Sequence, residues 1–233
     1  MLEARNITKE YGHIVALSDL SLSIPDGTIV GLIGPNGSGK TTFIDLVTGF
    51  SKPSQGELFF KGERIGGRRP HEISRLGIGR TFQETRVFKK MTLLENMLVA
   101  SPTLERSESI ERARDQLKWV GLSGLEDRQA SALSYGQQKL LEFVRTLMSD
   151  PTFVLLDEPT AGISPFLTQR MLESFRALRD KGKTLVIIEH NMDVISCVCE
   201  RAVVLQHGQK IAEGSPAEIQ RNSTVQDAYL GGG

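Results

Sequence analysis

Gly34-Pro35-Asn36-Gly37-Ser38-Gly39-Lys40-Thr41 decides how this chain is read. The stretch satisfies the pattern G-x-x-x-x-G-K-[ST] at every fixed position. Thr28-Ile29-Val30-Gly31-Leu32-Ile33 precedes it, a continuous apolar run that predicts a strand covered on both faces. An amphipathic segment from about Thr41 to Gly49 follows and predicts a helix. Glycines let the backbone curl so that successive N–H groups point inward, at the oxygens of a phosphate. The N-terminus of the following helix adds partial positive charge. Lys40 is placed as a point charge for β- and γ-phosphates, and the Thr41 hydroxyl as a ligand for Mg²⁺. Gly34, Pro35, Asn36, Gly37, Ser38, Gly39, Lys40, Thr41 and Thr42 are therefore the candidate nucleotide-binding residues.

A second strand points to the same chemistry. Phe153-Val154-Leu155-Leu156 is apolar and ends in Asp157-Glu158. A buried parallel strand delivers its C-terminal residues to the sheet edge where ligands bind. There Asp157 is placed to hold Mg²⁺ through water, and Glu158 to orient and activate an attacking water. Phosphoryl transfer to water needs little beyond positioning and charge neutralisation, and a general base adds about 10²–10⁴ in rate. His190 ends the apolar run Leu185–Ile188 in the same manner, placed to sense a γ-phosphate and to lock Glu158.

The pattern around these motifs is α/β. Leu20-Ser21-Leu22-Ser23-Ile24 alternates as a strand with one wet face, and Pro25-Asp26-Gly27 is a turn. The N-terminal part is expected to form antiparallel strands, with a further strand over Glu57–Lys61. The stretch from about Thr92 to Gln129 is highly charged with helical spacing, including a helix over 105–121. From Ser134 strands and helices alternate: helix 135–149, strand 153–156, helix 165–181, strand 184–188, helix 191–199, strand 202–206. His207-Gly208 is a hairpin turn, short helices close the chain, and Gly231-Gly232-Gly233 is expected to fray. The expected organisation is one domain over 1–233. A mostly parallel core (about 1–83 and 134–233) carries an N-terminal antiparallel β subdomain and a helical insertion at about 84–133.

Composition bounds the alternatives. Of 233 residues, 39% are hydrophobic, which excludes a disordered chain. Lys plus Arg and Asp plus Glu are 28 each, so a polyanion partner that needs a globally basic surface is excluded and no nucleic-acid role is expected. Two cysteines, Cys197 and Cys199, make no disulfide framework and fit a reducing compartment. No apolar run approaches the roughly 20 residues of a membrane-spanning helix, and the first residues lack a signal-peptide core. The expectation is a cytoplasmic protein whose membrane role requires partner chains.

Leu133-Ser134-Tyr135-Gly136-Gln137-Gln138-Lys139 resembles the signature motif of ABC-transporter ATPase subunits. Together with the cradle, the Leu-Leu-Asp-Glu-Pro strand end and His190, the resemblance spans Leu2 to about Leu230. It implies a P-loop NTPase core, ATP and Mg²⁺ as cofactors, and ATP hydrolysis that drives transport. It further implies that Tyr11 stacks on adenine and that Gln83 touches Mg²⁺ and the attacking water. Ser134, Gly136 and Gln137 then meet the γ-phosphate held by a second ATPase subunit, and Ala161-Gly162-Ile163-Ser164 lies at the dimer seam. From the residues themselves, Ser134 with Gln137 reads as a helix start of capping-box form, whose amides face an anion.

Arg80-Thr81-Phe82-Gln83, Phe88-Lys89-Lys90-Met91-Thr92, Glu95-Asn96 and Ala228-Tyr229-Leu230-Gly231 lean toward the branched-chain amino acid importer branch. Tyr135 stands where the family usually has Gly, and Ser164 where an acidic residue is common. These departures leave open whether both composite sites of an assembled transporter are equally active. Implied partners are transmembrane permease subunits, a second ATPase subunit (homo- or heterodimer) and, indirectly, a substrate-binding protein, with the chain peripheral on the inner face of the cell membrane. Val87 and Phe88 are expected to line a groove for a partner helix. The competing readings are the ATPase of a lipid or lipopolysaccharide exporter and a soluble nucleotide-dependent interaction module. Lys61 to Arg80 holds six basic and two acidic residues, read as a solvated face or a meeting point for anionic headgroups. Trp119 is expected in the core.

Overall fold

A computed structural model describes residues 1–101 and 105–230. The chain opens with β1 (Leu2–Tyr11), β2 (Ile14–Ile24) and β3 (Ile29–Ile33), then α1 (Lys40–Val47), β4 (Gln55–Phe60) and β5 (Glu63–Arg64). α2 (Pro70–Arg75), β6 (Ile78–Arg80), α3 (Leu93–Leu98), α4 (Arg106–Trp119) and α5 (Tyr135–Thr146) follow. β7 (Phe153–Asp157), α6 (Pro165–Asp180), β8 (Thr184–Ile188), α7 (Met192–Val198) and β9 (Arg201–Gln206) continue the alternation. β10 (Gln209–Gly214), α8 (Pro216–Arg221) and α9 (Ser223–Leu230) close it. The glycines at 231–233, expected to fray, lie outside the described residues.

Two sheets result. An antiparallel sheet has the order β2-β1-β4-β5; the larger has the order β10-β9-β3-β8-β7-β6. In the larger sheet β9, β3, β8, β7 and β6 are parallel and β10 is an antiparallel edge. β3, β7 and β8 are buried along their whole length, as their continuous apolar runs demand. Their side chains alternate between two cores because successive Cβ atoms point to opposite faces. Ile29, Ile33, Val154, Leu156, Leu185 and Ile187 pack under the helices, with Leu141, Phe143 and Phe175. Val30, Leu32, Phe153, Leu155, Val186 and Ile188 pack toward α1 and the antiparallel sheet, with Phe43, Leu58 and Phe60. Each such side chain contributes roughly 1.5–3 kcal/mol of burial, so the central strands are held from both sides and their C-terminal ends are fixed in space.

Three elements carry no signal in the periodicity: β5, α2 and β6. α5 ends at Thr146, and a 3₁₀ turn over Leu147–Ser149 finishes the helix expected to run to 149, stopping at the left-handed Asp150. Trp119 is half-buried at the margin of the core, with its ring 6.2 Å from Phe143. Cys197 is exposed and Cys199 buried, so burial pushes the Cys199 thiol up to about 12. No helix among the described residues is long and apolar enough to cross a membrane.

Candidate functional site

The turn from Gly34 to Gly39 leaves the C-terminal end of β3 and enters α1. Gly34 and Gly39 sit at φ +147° and +105°. A Cβ on Gly34 would lie 2.1 Å from the Leu205 carbonyl oxygen, and one on Gly39 2.7 Å from that of Ala16. Glycine is thus required twice over, by conformation and by space. The Gln206–Gln209 turn braces the cradle from outside: Gly208 donates its N–H to the Ser38 carbonyl (3.1 Å) and accepts from Ser18 N–H (2.9 Å).

Lys40 is buried beneath this turn. Its Nζ donates to the carbonyl oxygens of Gly34 and Pro35, both at 2.8 Å, and to Ser38 Oγ at 3.3 Å. Burial lowers its ammonium pKa, against the opposing pull of Glu158 and Asp157. A charge held this way gains from any anion that enters the turn.

Across the cavity stand the ends of β7 and β8. Asp157 is 3% exposed; burial raises its carboxyl pKa, and Arg80 at 3.8 Å opposes the shift. Glu158 follows in a left-handed conformation, φ +46°, a strained state for a non-glycine residue. Its carbonyl accepts a hydrogen bond from Lys139 Nζ, and its amide donates to the Ile188 carbonyl at 3.0 Å. The carboxylate therefore turns toward two partners: His190 Nε2 lies 2.6 Å from Oε1, and Gln83 Nε2 donates to Oε2 at 3.4 Å. Thr160 N–H and Oγ1 both donate to the buried Glu189 Oε1, at 2.9 and 2.6 Å, which ties the loop after β7 to the end of β8.

Tyr11, Ile14, Val15 and the 36–42 turn line one cavity of about 360 Å³ with Gln83, Asp157, Glu158 and His190. Ser134, Gly136 and Gln137 stand apart from it, at the start of α5. Ser134 Oγ accepts from Gln137 N–H at 3.3 Å, and Gln137 Oε1 accepts from Ser134 N–H at 3.0 Å. Gly136 is buried, and a Cβ there would lie 2.6 Å from Leu167 Cδ1. Tyr135 is half exposed, its ring beside Gly162. Thr41, Gln83 and Asp157 offer a hydroxyl, an amide and a carboxylate to the cavity, hard oxygen donors of the kind Mg²⁺ takes. Among the described residues no three His, Cys, Asp or Glu side chains form a metal-holding group. The donor set fits an ion that keeps waters and takes phosphate oxygens, as Mg²⁺ does.

Lys139 and Arg80 escaped the sequence reading as site residues. Lys139 is buried with its Nζ on the Glu158 carbonyl, and the Arg80 side chain is mostly covered, 3.8 Å from Asp157. The signal was the placement of Lys139 on the same face of an amphipathic helix as apolar residues.

A glycine cradle at the end of a buried parallel strand, facing two carboxylates at the end of another, defines a P-loop nucleoside triphosphatase. The pattern of the family described as ABC transporter matches residues 17–161. That of the branched-chain amino acid ATP-binding cassette transporter matches residues 209–233. The high-affinity branched-chain amino acid transport ATP-binding protein BraF of Pseudomonas aeruginosa is 37% identical, over 99% of this chain and 98% of its own length. The structure of MJ1267, an ATP-binding cassette of an ABC transporter in its ADP conformation, aligns with a TM-score of 0.90 at 36% identity, covering 99% of this chain and 98% of that one. A dimeric post-hydrolysis cassette, MJ0796 bound to ADP and Pi, aligns at 0.83 and 27% identity over 93% and 99%. This chain belongs to the ABC transporter family of ATP-binding cassettes and is an ATPase.

Proposed function

We propose that this chain is the ATP-hydrolysing subunit of a membrane importer for branched-chain or related amino acids. The observation that carries the catalytic part is the Glu158 carboxylate, held between Gln83 and His190 on the cavity that the 36–42 turn also lines. The cargo class rests on the BraF likeness and on the match over residues 209–233.

In this reading the amides of the cradle and of the first turn of α1 receive the β- and γ-phosphates, and Lys40 turns from its carbonyl partners to the same oxygens. Tyr11 lies against the base. Thr41, Gln83 and Asp157 would hold Mg²⁺, which when bound would neutralise phosphate charge. Glu158 accepts the proton of the attacking water while its bond to His190 keeps the carboxylate aimed. Gln83 orients that water from the other side.

A second ATPase subunit presents Ser134, Gly136 and Gln137 to the γ-phosphate; that a neighbouring cassette is dimeric supports the pairing of two subunits. The chain then sits peripherally at the inner membrane face on permease subunits, and through them it serves a substrate-binding protein. A groove of about 420 Å³ lined by Phe82, Val87, Phe88, Val99 and Ala100, with Arg86 and Arg145 at its side, suits a permease helix. Residues 84–133, with α3 and α4, act as the helical insertion of a single domain.

Glu158→Gln is expected to keep ATP affinity, to lose at least 100-fold in turnover, and to accumulate a nucleotide-bound dimer in sedimentation. Near-normal phosphate release removes Glu158 from the base role. Lys40→Ala is expected to weaken ATP binding itself, measured by calorimetry; unchanged affinity contradicts the cradle assignment.

A further inference from the structure

Glu142 is a carboxylate that the mechanism above does not use, yet it is 3% exposed in the middle of α5. Burial raises its carboxyl pKa, and the backbone amides of Arg86 and Phe82 and the charges of Arg145 and Lys139 oppose the shift. A buried carboxylate is costly unless it is hydrogen-bonded and paired, and its environment states what it holds. The Arg86 N–H donates to Glu142 Oε1 at 3.2 Å.

The neighbours of Glu142 on α5 grip the same segment. Thr146 Oγ1, whose single hydrogen is shared with the nearer Glu142 carbonyl at 3.0 Å, lies 3.3 Å from the Arg80 carbonyl, and an Arg145 guanidinium nitrogen donates to the Arg86 carbonyl. The chain from Arg80 to Arg86 is thus fastened at both ends, by side-chain bonds to its backbone from one helix face. Gln83 lies midway between the fastenings. One turn earlier on α5, Lys139 Nζ donates to the Glu158 carbonyl. A single helix therefore holds both halves of the Gln83–Glu158 contact, and its side chains at i, i+3, i+6 and i+7 lie along one stripe.

We infer that Glu142 is a positioning residue for hydrolysis: from α5 it fixes the Gln83 segment where Gln83 meets Glu158. The inference rests on the proposed hydrolytic site. Its physical content is geometric. The Gln83–Glu158 bond is already long, at 3.4 Å, and a shift of about 1 Å in a catalytic group can cost on the order of 10² in rate. The cradle residues 34–42 take part in none of these bonds, and with Gln83 displaced Thr41 and Asp157 still line the cavity for Mg²⁺. Loss of Glu142 should consequently appear in kcat and leave KM for ATP in place.

The test is a double-mutant cycle on the purified full chain, with ATP turnover, KM and thermal melting measured for each variant. Glu142→Leu removes the acceptor at similar volume; Glu142→Gln keeps an oxygen that can accept from Arg86 N–H. Expected results are a fall in kcat of about tenfold or more for Glu142→Leu with KM within about threefold, and a return to most of the wild-type kcat for Glu142→Gln. Gln83→Ala should lower kcat, and adding Glu142→Leu to it should change kcat little further, because both act on one contact. Wild-type kcat in Glu142→Leu, multiplicative losses in the double variant, or no rescue by Gln each overturn the inference while leaving the site reading intact. Wild-type kcat in Gln83→Ala overturns the site reading, and this inference with it. If Glu142→Leu does not melt cooperatively, Glu142→Asp, one methylene shorter, carries the same comparison with the same criteria.

Discussion

At the scale of single residues, the cradle depends on contacts from far along the chain. Gly208 sits at φ +77°, and a Cβ there would lie 2.7 Å from the Ala16 carbonyl oxygen and 2.9 Å from Leu17 Cα. Both contacts are backbone and cannot swing aside. Through Ser38 and Ser18 this glycine also sets the outer wall of the turn. Gly208→Ala is therefore expected to cost about 1–3 kcal/mol, lowering the melting temperature by roughly 2–4 °C per kcal/mol, and to weaken ATP binding measured by calorimetry. Gly37 makes the contrast: its φ is +76°, but no atom lies within 4 Å of the added Cβ, so alanine there meets strain alone. The positions of Lys40, Asp157 and Glu158 were legible because motif and strand pattern coincided. The role of Gly208 was not: His207-Gly208 reads as a turn whatever it packs against.

Elements show why legibility stopped where it did. β3, β7 and β8 announce themselves as apolar runs because both faces are covered. β6 is three residues, one of them glycine, and exists because Ile78–Arg80 pairs with Phe153–Leu155; no local pattern could reveal it. α5 was legible as a helix, but its buried Lys139 and Glu142 were not singled out; they reach the Glu158 carbonyl and the Arg86 amide. α3 uses another buried polar group. Thr92 caps it, with Oγ1 accepting from Glu95 N–H at 3.1 Å. Asn96, fully buried, accepts from Phe88 N–H at 2.8 Å and donates to the Phe88, Met91 and Thr92 carbonyls at 3.0, 3.3 and 2.8 Å. One side chain thus closes the loop that shapes the groove at Val87 and Phe88. Asn96→Leu strands these backbone groups at a cost of about 2 kcal/mol or more. The expected outcome is a melting temperature lowered by roughly 4–8 °C for a chain of this size and faster amide hydrogen exchange over 86–92. Unchanged exchange there would show the loop to be held by other contacts.

For the whole molecule, charge bears on the proposed membrane attachment. The formal net charge is zero, and the basic stretch Lys61 to Arg80 is partly paired in the fold, with Glu57, Asp45 and Asp157 adding acids from outside it. Arg64 lies 3.5 Å from Glu57, Arg68 3.2 Å from Glu63 and Arg69 3.3 Å from Glu72. Arg80 is turned inward to Asp45 and Asp157. The folded arrangement favours the solvated-face reading of this stretch over a headgroup site. Each Lys or Arg near an anionic surface is worth about 1 kcal/mol, but only while its charge is uncompensated, and about 0.15 M salt screens the remainder within roughly 8 Å. What the surface offers as well is a groove of mixed character: exposed Phe88 lines it with Arg86 and Arg145, and exposed Phe50 packs on its Phe82 wall. In co-sedimentation at about 0.15 M salt, the chain is expected to stay in the supernatant with vesicles of about 30% phosphatidylserine and to pellet only when permease subunits are present. Pelleting of most of the protein with bare vesicles would make the basic stretch a lipid contact and count against the proposed docking on permease subunits.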